Sequence, residues 1–196
     1  MQKKDIQEQR IRGYFIEAAK EMLKGEGLKS ISVRNIAERA GYSYTTLYNY
    51  FKDLNELIFL CVKDFQNECE QSIKDEIEKK PRGIEKIMAI SKAYIKYFIQ
   101  YPGIFELFFI EKISNIGSKQ PTTELISTFL DRLCQEEWEY CINENITTKE
   151  EADILTKQLS FTITGMLLLY LNRLQPSSYK DFIELTEVQL NKILNK

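Results

Sequence analysis

The sequence predicts an all-α fold of about nine helices. Three observations carry this expectation. Apolar residues recur at helical spacing along nearly the whole chain, as in Ile11, Tyr14, Phe15, Ala18 and Met22. Only 8 Gly and 4 Pro interrupt 196 residues, too few for a fold built of strands and turns. Most of these breakers also fall between the periodic stretches: Gly25-Glu26-Gly27, Gly41, Pro81 with Gly83, Pro102-Gly103 and Pro176.

Taken in order, the first helix stops at Gly25–Gly27. Ser32 caps a short second helix whose inner face is Val33, Ile36, Ala37 and Ala40, and Gly41 ends it. Ser43 caps a third helix that runs to about Tyr50. The fourth covers about 53–79, roughly 40 Å of rod at ~1.5 Å per residue. The fifth, Ile84 to Tyr101, is apolar on most sides, which is the pattern of a buried helix. A short sixth spans 104–110, residues 113–121 read as a loop, and a seventh spans about 122–145. Thr148 and Glu151 form a capping box for the eighth, which reaches about Leu174. The ninth runs from Tyr179 to Leu194. The functional division is into residues 1–52 and residues 53–196.

Composition removes several function classes. There is no His, and Cys61, Cys69, Cys134 and Cys141 have no ligand spacing, so they read as small buried hydrophobes rather than as a metal site. No nucleophile elbow or phosphate-binding loop occurs, and the acid pairs Glu136-Glu137 and Glu150-Glu151 read as solvated. An enzyme is therefore the remote alternative, and no cofactor is expected. The first residues lack the apolar run of a secretion signal, and no charge-free stretch is long enough for a bilayer. A cytoplasmic protein without a membrane span is expected. The net charge of -2 hides an asymmetry: residues 1–52 hold ten Lys/Arg against six Asp/Glu, and the remainder is acidic. A basic end suits a polyanion.

The second and third helices, joined by a tight Gly turn, have the layout of a helix-turn-helix. With Leu47 taken as the inward direction, Phe51 falls about 40° from it, while Thr45 and Asn49 fall about 160–200° away. Thr46 and Tyr48 flank them, so the outer face holds Thr, Asn and Tyr and no acid. Thr meets a thymine methyl or a phosphate, Asn pairs with adenine, and a Tyr hydroxyl bonds a phosphate. The stretch from Ser32 to Phe51 resembles the DNA-binding domain of the TetR family of bacterial regulators. The likeness rests on Ile36-Ala37-Glu38-Arg39-Ala40-Gly41, on Ser43, and on Leu47-Tyr48-Asn49-Tyr50-Phe51. The resemblance implies that Arg34, Tyr44, Thr45, Thr46, Tyr48, Asn49 and Tyr50 face double-stranded operator DNA. Where the family usually has Lys at the head of the fourth helix this chain has Leu54, and Lys52 is the substitute for that contact. Tyr42 replaces the family's usual small aliphatic residue.

For the remainder, the resemblance implies a regulator, expected to be a repressor that a small effector releases from a palindromic operator. Control by a protein partner is the alternative. The effector pocket is expected among Tyr94, Tyr97, Phe98, Phe105, Phe109, Phe129 and Trp138, residue types that serve equally to fill a core. Lys86, Lys92, Lys96, Glu85 and Glu106 can all lie on an outer face, leaving an apolar lining and predicting an apolar effector. The run Phe161–Leu171 is too apolar for the surface of a monomer. Together with the ninth helix, the resemblance makes it the interface of a homodimer.

Overall fold

The computed structural model describes residues 3–110 and 120–195. The described residues form ten α-helices and no strand: α1 Lys3–Glu26, α2 Val33–Ala40, α3 Tyr44–Tyr48, α4 Leu54–Ile77, α5 Ile84–Gln100, α6 Pro102–Phe105, α7 Gln120–Ser127, α8 Phe129–Asn143, α9 Lys149–Leu171 and α10 Tyr179–Leu194. A 3₁₀ turn, Leu28–Ser30, follows α1, and a π-helical turn, Glu106–Ile110, prolongs α6.

The all-α expectation holds, with differences that have local causes. The third helix stops at Tyr48 instead of reaching Tyr50. Its last turn tightens into i→i+3 bonds, Asn49 N–H to the Thr46 carbonyl at 3.1 Å and Tyr50 N–H to the Leu47 carbonyl at 3.0 Å. The expected seventh helix is two, broken at Thr128. The break coincides with the Gln66 amide donating to the Leu125 carbonyl at 2.8 Å, the acceptor that the Phe129 N–H would use in an unbroken helix. The sixth helix begins earlier than expected, with Pro102 in its first turn, where a missing N–H is harmless. The eighth stops at Leu171. Of the loop expected at 113–121, residues 113–119 lie outside the described residues, and Gln120 and Pro121 open α7.

Contacts divide the chain into two compact units: residues 1–67 with 101–126, and residues 68–100 with 127–196. Helix α4 is one unbroken helix whose first part packs in one unit and whose last part packs in the other. In the first unit Phe15, Ala19 and Leu23 of α1 are buried with Ile36, Leu47, Phe51 and Phe65. Helix α6 packs on α1 so closely that a methyl group on Gly103 would stand 2.3 Å from the Leu23 carbonyl oxygen.

In the second unit α5 is the central helix and packs on α8, α9 and α10. Its buried residues include Ile87, Ile90, Tyr94 and Phe98. Two sequence expectations about charge are corrected here. Glu137 is buried, with 3% exposed, rather than solvated. It accepts from Arg82 Nε at 3.0 Å and from the Gly83 N–H at 2.8 Å, and Lys86 Nζ lies 3.5 Å away. Lys86 is accordingly half-buried rather than on an outer face. Burial raises the Glu137 carboxyl pKa, but the Gly83 N–H and the two cations outweigh it and hold the group below its ordinary value. Glu106, in the first unit, is also half-buried. Lys96 is exposed and Lys92 half-buried, and they pair with Glu76 and Glu187 respectively.

All four cysteines are free and buried, as expected. Burial pushes the Cys61 thiol up to about 12, so it packs as a small apolar group. By length and composition alone α9 would suit a membrane crossing. Its stripe Leu155, Leu159, Ile163 and Leu167 is instead buried within the second unit.

The α1–α6 contact predicts the effect of two glycine substitutions. Gly103→Ala should lower stability by about 1–3 kcal/mol, since the obstructing atom is backbone. Gly13→Ala, inside α1 with nothing within 4 Å of the new methyl, should raise it by about 0.5–1 kcal/mol. Thermal unfolding of both variants beside the parent checks the signs.

Candidate nucleic-acid interface

The interface is built from short helices and the turn between them. Ser32 opens α2, its hydroxyl accepting from the Asn35 N–H at 3.1 Å. Gly41 closes it in the left-handed region, with φ 78° and ψ 26°. Two reverse bonds complete the stop: Gly41 N–H to the Glu38 carbonyl at 3.0 Å and Tyr42 N–H to the Ala37 carbonyl at 2.9 Å. This is the Schellman pairing, and a side chain at position 41 would be strained. Tyr42 then turns its ring onto α1, 5.4 Å from Phe15 and 6.3 Å from Tyr14. Ser43 opens α3, accepting from the Thr46 N–H at 3.2 Å.

Helix α3 sorts its residues as its period requires. Leu47 is buried and so is Phe51 just beyond. Tyr44, Thr45, Tyr48 and Asn49 are exposed, while Thr46 and Tyr50 are half-buried. Tyr48 keeps 54% of its surface accessible and Tyr44 52%. The Thr45 and Thr46 hydroxyls both lie within 2.8 Å of the Ser43 hydroxyl, forming one cluster at the head of the helix. Arg34 and Lys52 are exposed. Arg39 differs: its guanidinium pairs with Glu26 at 2.8 Å and Glu21 at 3.8 Å, so it binds α2 to α1.

The candidate effector residues do not form one cluster within a unit. Tyr94, Tyr97, Phe98 and Phe129 meet in the second unit, with Tyr94 4.8 Å from Phe98 and 5.8 Å from Phe129, centroid to centroid. Burial pushes the Tyr94 phenol well above its ordinary pKa, so it stays protonated. Trp138 is also buried there and borders a groove between α8 and α9. Its indole N–H has no hydrogen-bond partner. Phe105 and Phe109 meet in the first unit as a tilted pair, 5.0 Å between ring centroids. A larger cleft of about 580 Å³ opens in the second unit, with Ile73, Ile90 and Leu133 among its apolar walls and Lys74, Lys86 and Arg132 among its charged ones.

Comparison with known proteins agrees with the local geometry. The profile of bacterial regulatory proteins of the tetR family matches residues 15–60, the span from the middle of α1 into α4. Over residues 15–60 the chain carries the TetR-family segment. It is 25% identical over 123 residues to the fatty acid metabolism regulator protein of Bacillus subtilis (strain 168), covering 61% of this chain and 62% of that protein. The match thus spans less than two thirds of that relative's length. The fold extends over nearly the whole chain. The structure of FadR from Bacillus subtilis in complex with stearoyl-CoA aligns with TM-score 0.71 and 17% identity, covering 93% of this chain and 97% of that one. RolR in complex with resorcinol aligns with TM-score 0.68 and 14% identity, covering 95% and 88%.

Within this matched segment the departure at Leu54 is now placed. Leu54 is half-buried at the head of α4, and Lys52, two residues earlier, is the exposed cation there. One group escaped the sequence reading. Arg12 on α1 donates to the Tyr50 carbonyl at 2.7 Å and to Glu56 at 2.8 Å, with its guanidinium 4.6 Å from the centre of the Phe51 ring. No local pattern reveals a partner 38 or 44 residues away.

Glu56 also accepts from the Lys52 N–H at 2.9 Å. That bond first, then Arg12, holds its carboxyl below the usual range. A lowered folded value means that its contribution is complete above the unfolded value, about 4.3, and is lost as pH falls through the folded one. Glu56→Gln should therefore melt below the parent at neutral pH, and the gap should close below about pH 4. Melting curves at stepped pH check this; a gap constant with pH would mean that the carboxylate charge contributes nothing.

Proposed function

We propose that this chain is a homodimeric transcription repressor of the cytoplasm, released from a palindromic operator by a small effector with a large apolar part. The observation that carries the DNA reading is the outer face of α3. Thr45, Tyr48 and Asn49 stand exposed over buried Leu47, with no acid among them. In this reading Tyr48, Tyr44 and Lys52 bond phosphates and fix register, Thr45, Thr46 and Asn49 address base edges, and Arg34 and Tyr50 contact the flanking backbone.

The dimer reading rests on α9 and α10. One stripe of α9 is buried in its own unit, but Ile154, Phe161 and Leu168, spaced by seven, are exposed, Phe161 at 78%. Leu185 and Val188 of α10 are exposed as well. A second copy covers such surface and sets two α3 helices about 34–36 Å apart, one turn of DNA. The effector reading is supported by the apolar walls of the cleft in the second unit and by two fold neighbours crystallised with stearoyl-CoA and with resorcinol. Because α4 contributes to both units, it is the element through which occupancy would reach the operator contacts. One observation favours control by a protein partner: Tyr94, Phe98 and Phe129 pack ring against ring, as in a filled core.

Selection from a random duplex library should enrich a near-palindrome, with affinity falling steeply as salt rises. Tyr48→Phe should weaken all duplexes alike, whereas Thr45→Ala and Asn49→Ala should each change base preference by about 1–3 kcal/mol at one position. Acyl or aromatic compounds should raise Tm and release the selected duplex. If no small molecule does both, the protein-partner reading takes over.

The unaltered chain should run as a dimer in light scattering at micromolar concentration. Phe161→Glu or Leu168→Glu should give monomer or aggregate, since a charge in an apolar interface costs several kcal/mol. A parent that stays monomeric would remove the dimer from this reading.

A further inference from the structure

Arg12 occupies a place where several short-range contacts converge. Its guanidinium makes two directed bonds and one stacking contact at once, to the Tyr50 carbonyl, the Glu56 carboxylate and the Phe51 ring. The other oxygen of Glu56 takes the Lys52 N–H, and the Glu56 N–H binds Asp53 Oδ1 at 2.9 Å. Three consecutive residues, 50 to 52, are thus held by one ion pair through a carbonyl, a ring and an N–H. A planar fork with five donors can do this, and a lysine ammonium cannot.

The geometry points to a positioning role for Arg12 in DNA recognition: it fixes the trailing end of α3, and so the aim of Thr45, Tyr48 and Asn49, without touching DNA itself. This rests on the reading of α3 as the DNA-contacting helix. Ser43 secures the leading end of α3, and beyond Tyr48 the last turn is tightened, so the exit needs an external tether. The charge of Arg12 is already matched by Glu56, both side chains being 37% exposed. A guanidinium bound to a carboxylate is a poor phosphate ligand, because the phosphate would have to displace an existing partner. The pair also sets the backbone of Lys52, whose side chain is exposed. The consequence is a loss of sequence discrimination, rather than of general attraction to DNA, when the fork is removed.

The test uses the full chain and the duplex that the parent selects from a random library, beside a scrambled duplex, over a salt series. Arg12→Met, which keeps the apolar stem, should weaken the selected duplex at least tenfold and leave the scrambled one unchanged. The slope of log affinity against log salt should also stay as in the parent. Arg12→Lys should not restore binding, while the exchanged pair Arg12→Glu with Glu56→Arg should restore part of it. Equal loss on both duplexes, with a slope smaller by about 0.9, would make Arg12 a phosphate ligand and overturn the positioning role. Unchanged discrimination would overturn it too. If Arg12→Met loses helicity by circular dichroism, Glu56→Gln decides, since it must show the same loss of discrimination in milder form. A parent that selects no duplex overturns the reading of α3 as DNA-contacting and the clamp with it, whereas normal discrimination by Arg12→Met overturns the clamp alone.

Discussion

Helix α3 is five residues long, and its existence is the constraint around which the first unit is arranged. A helix so short does not form by itself in water, because fixing the first turn costs more than its few hydrogen bonds return. Each end is therefore anchored from outside. The left-handed stop at Gly41 sets the angle of entry, the Ser43 hydroxyl satisfies a free N–H, and Arg12 takes the Tyr50 carbonyl at the exit. Burial of Leu47 and Phe51 against α1 and its neighbours supplies the cohesive term, about 1.5–3 kcal/mol for each large apolar side chain. The outer face is left with no structural duty, and Tyr, Thr and Asn can stand there for contact with a partner.

The second unit solves a different problem. Its central helix α5 is covered by α8, α9 and α10, so apolar packing dominates. Yet a carboxylate, Glu137, is kept inside at the start of α5. It sits where the backbone N–H of Gly83 and the cations Arg82 and Lys86 meet, so the cost of removing it from water is offset by three partners. Arg82 also lies over the Tyr140 ring, 4.7 Å from its centre. The arrangement joins the α4–α5 connection to α8 and places charge on one wall of the cleft that the apolar walls face.

Much of this was legible in local pattern. Capping residues Ser32, Ser43 and Thr148 mark helix starts because the bonds they make span only three residues, and the structure shows each of them. The Gly41 stop and the alternation of buried Leu47 with exposed Thr45 and Asn49 follow from helical period alone. Local pattern fails where distant groups intervene. Glu137 looked solvated beside Glu136 because nothing in the sequence shows Arg82 folding onto it from 55 positions away. Residue type does not separate the aromatic side chains, but packing does: Phe105 and Phe109 belong with one unit, and Tyr94, Phe98 and Phe129 with the other.

The sequence by itself determined the all-α class, the helix-turn-helix with its outward residues, and the surplus of apolar side chains on α9. Each of these depends on period, caps and breakers, which act over one or two turns. Tertiary structure alone decided the break at Thr128, the burial of Glu137, the tether from Arg12 to Tyr50 and Glu56, and the partition of α4 between two units. These are pairings between side chains dozens of residues apart. A directed bond needs both ends brought within about 3 Å, and only the packing of helices sets that distance.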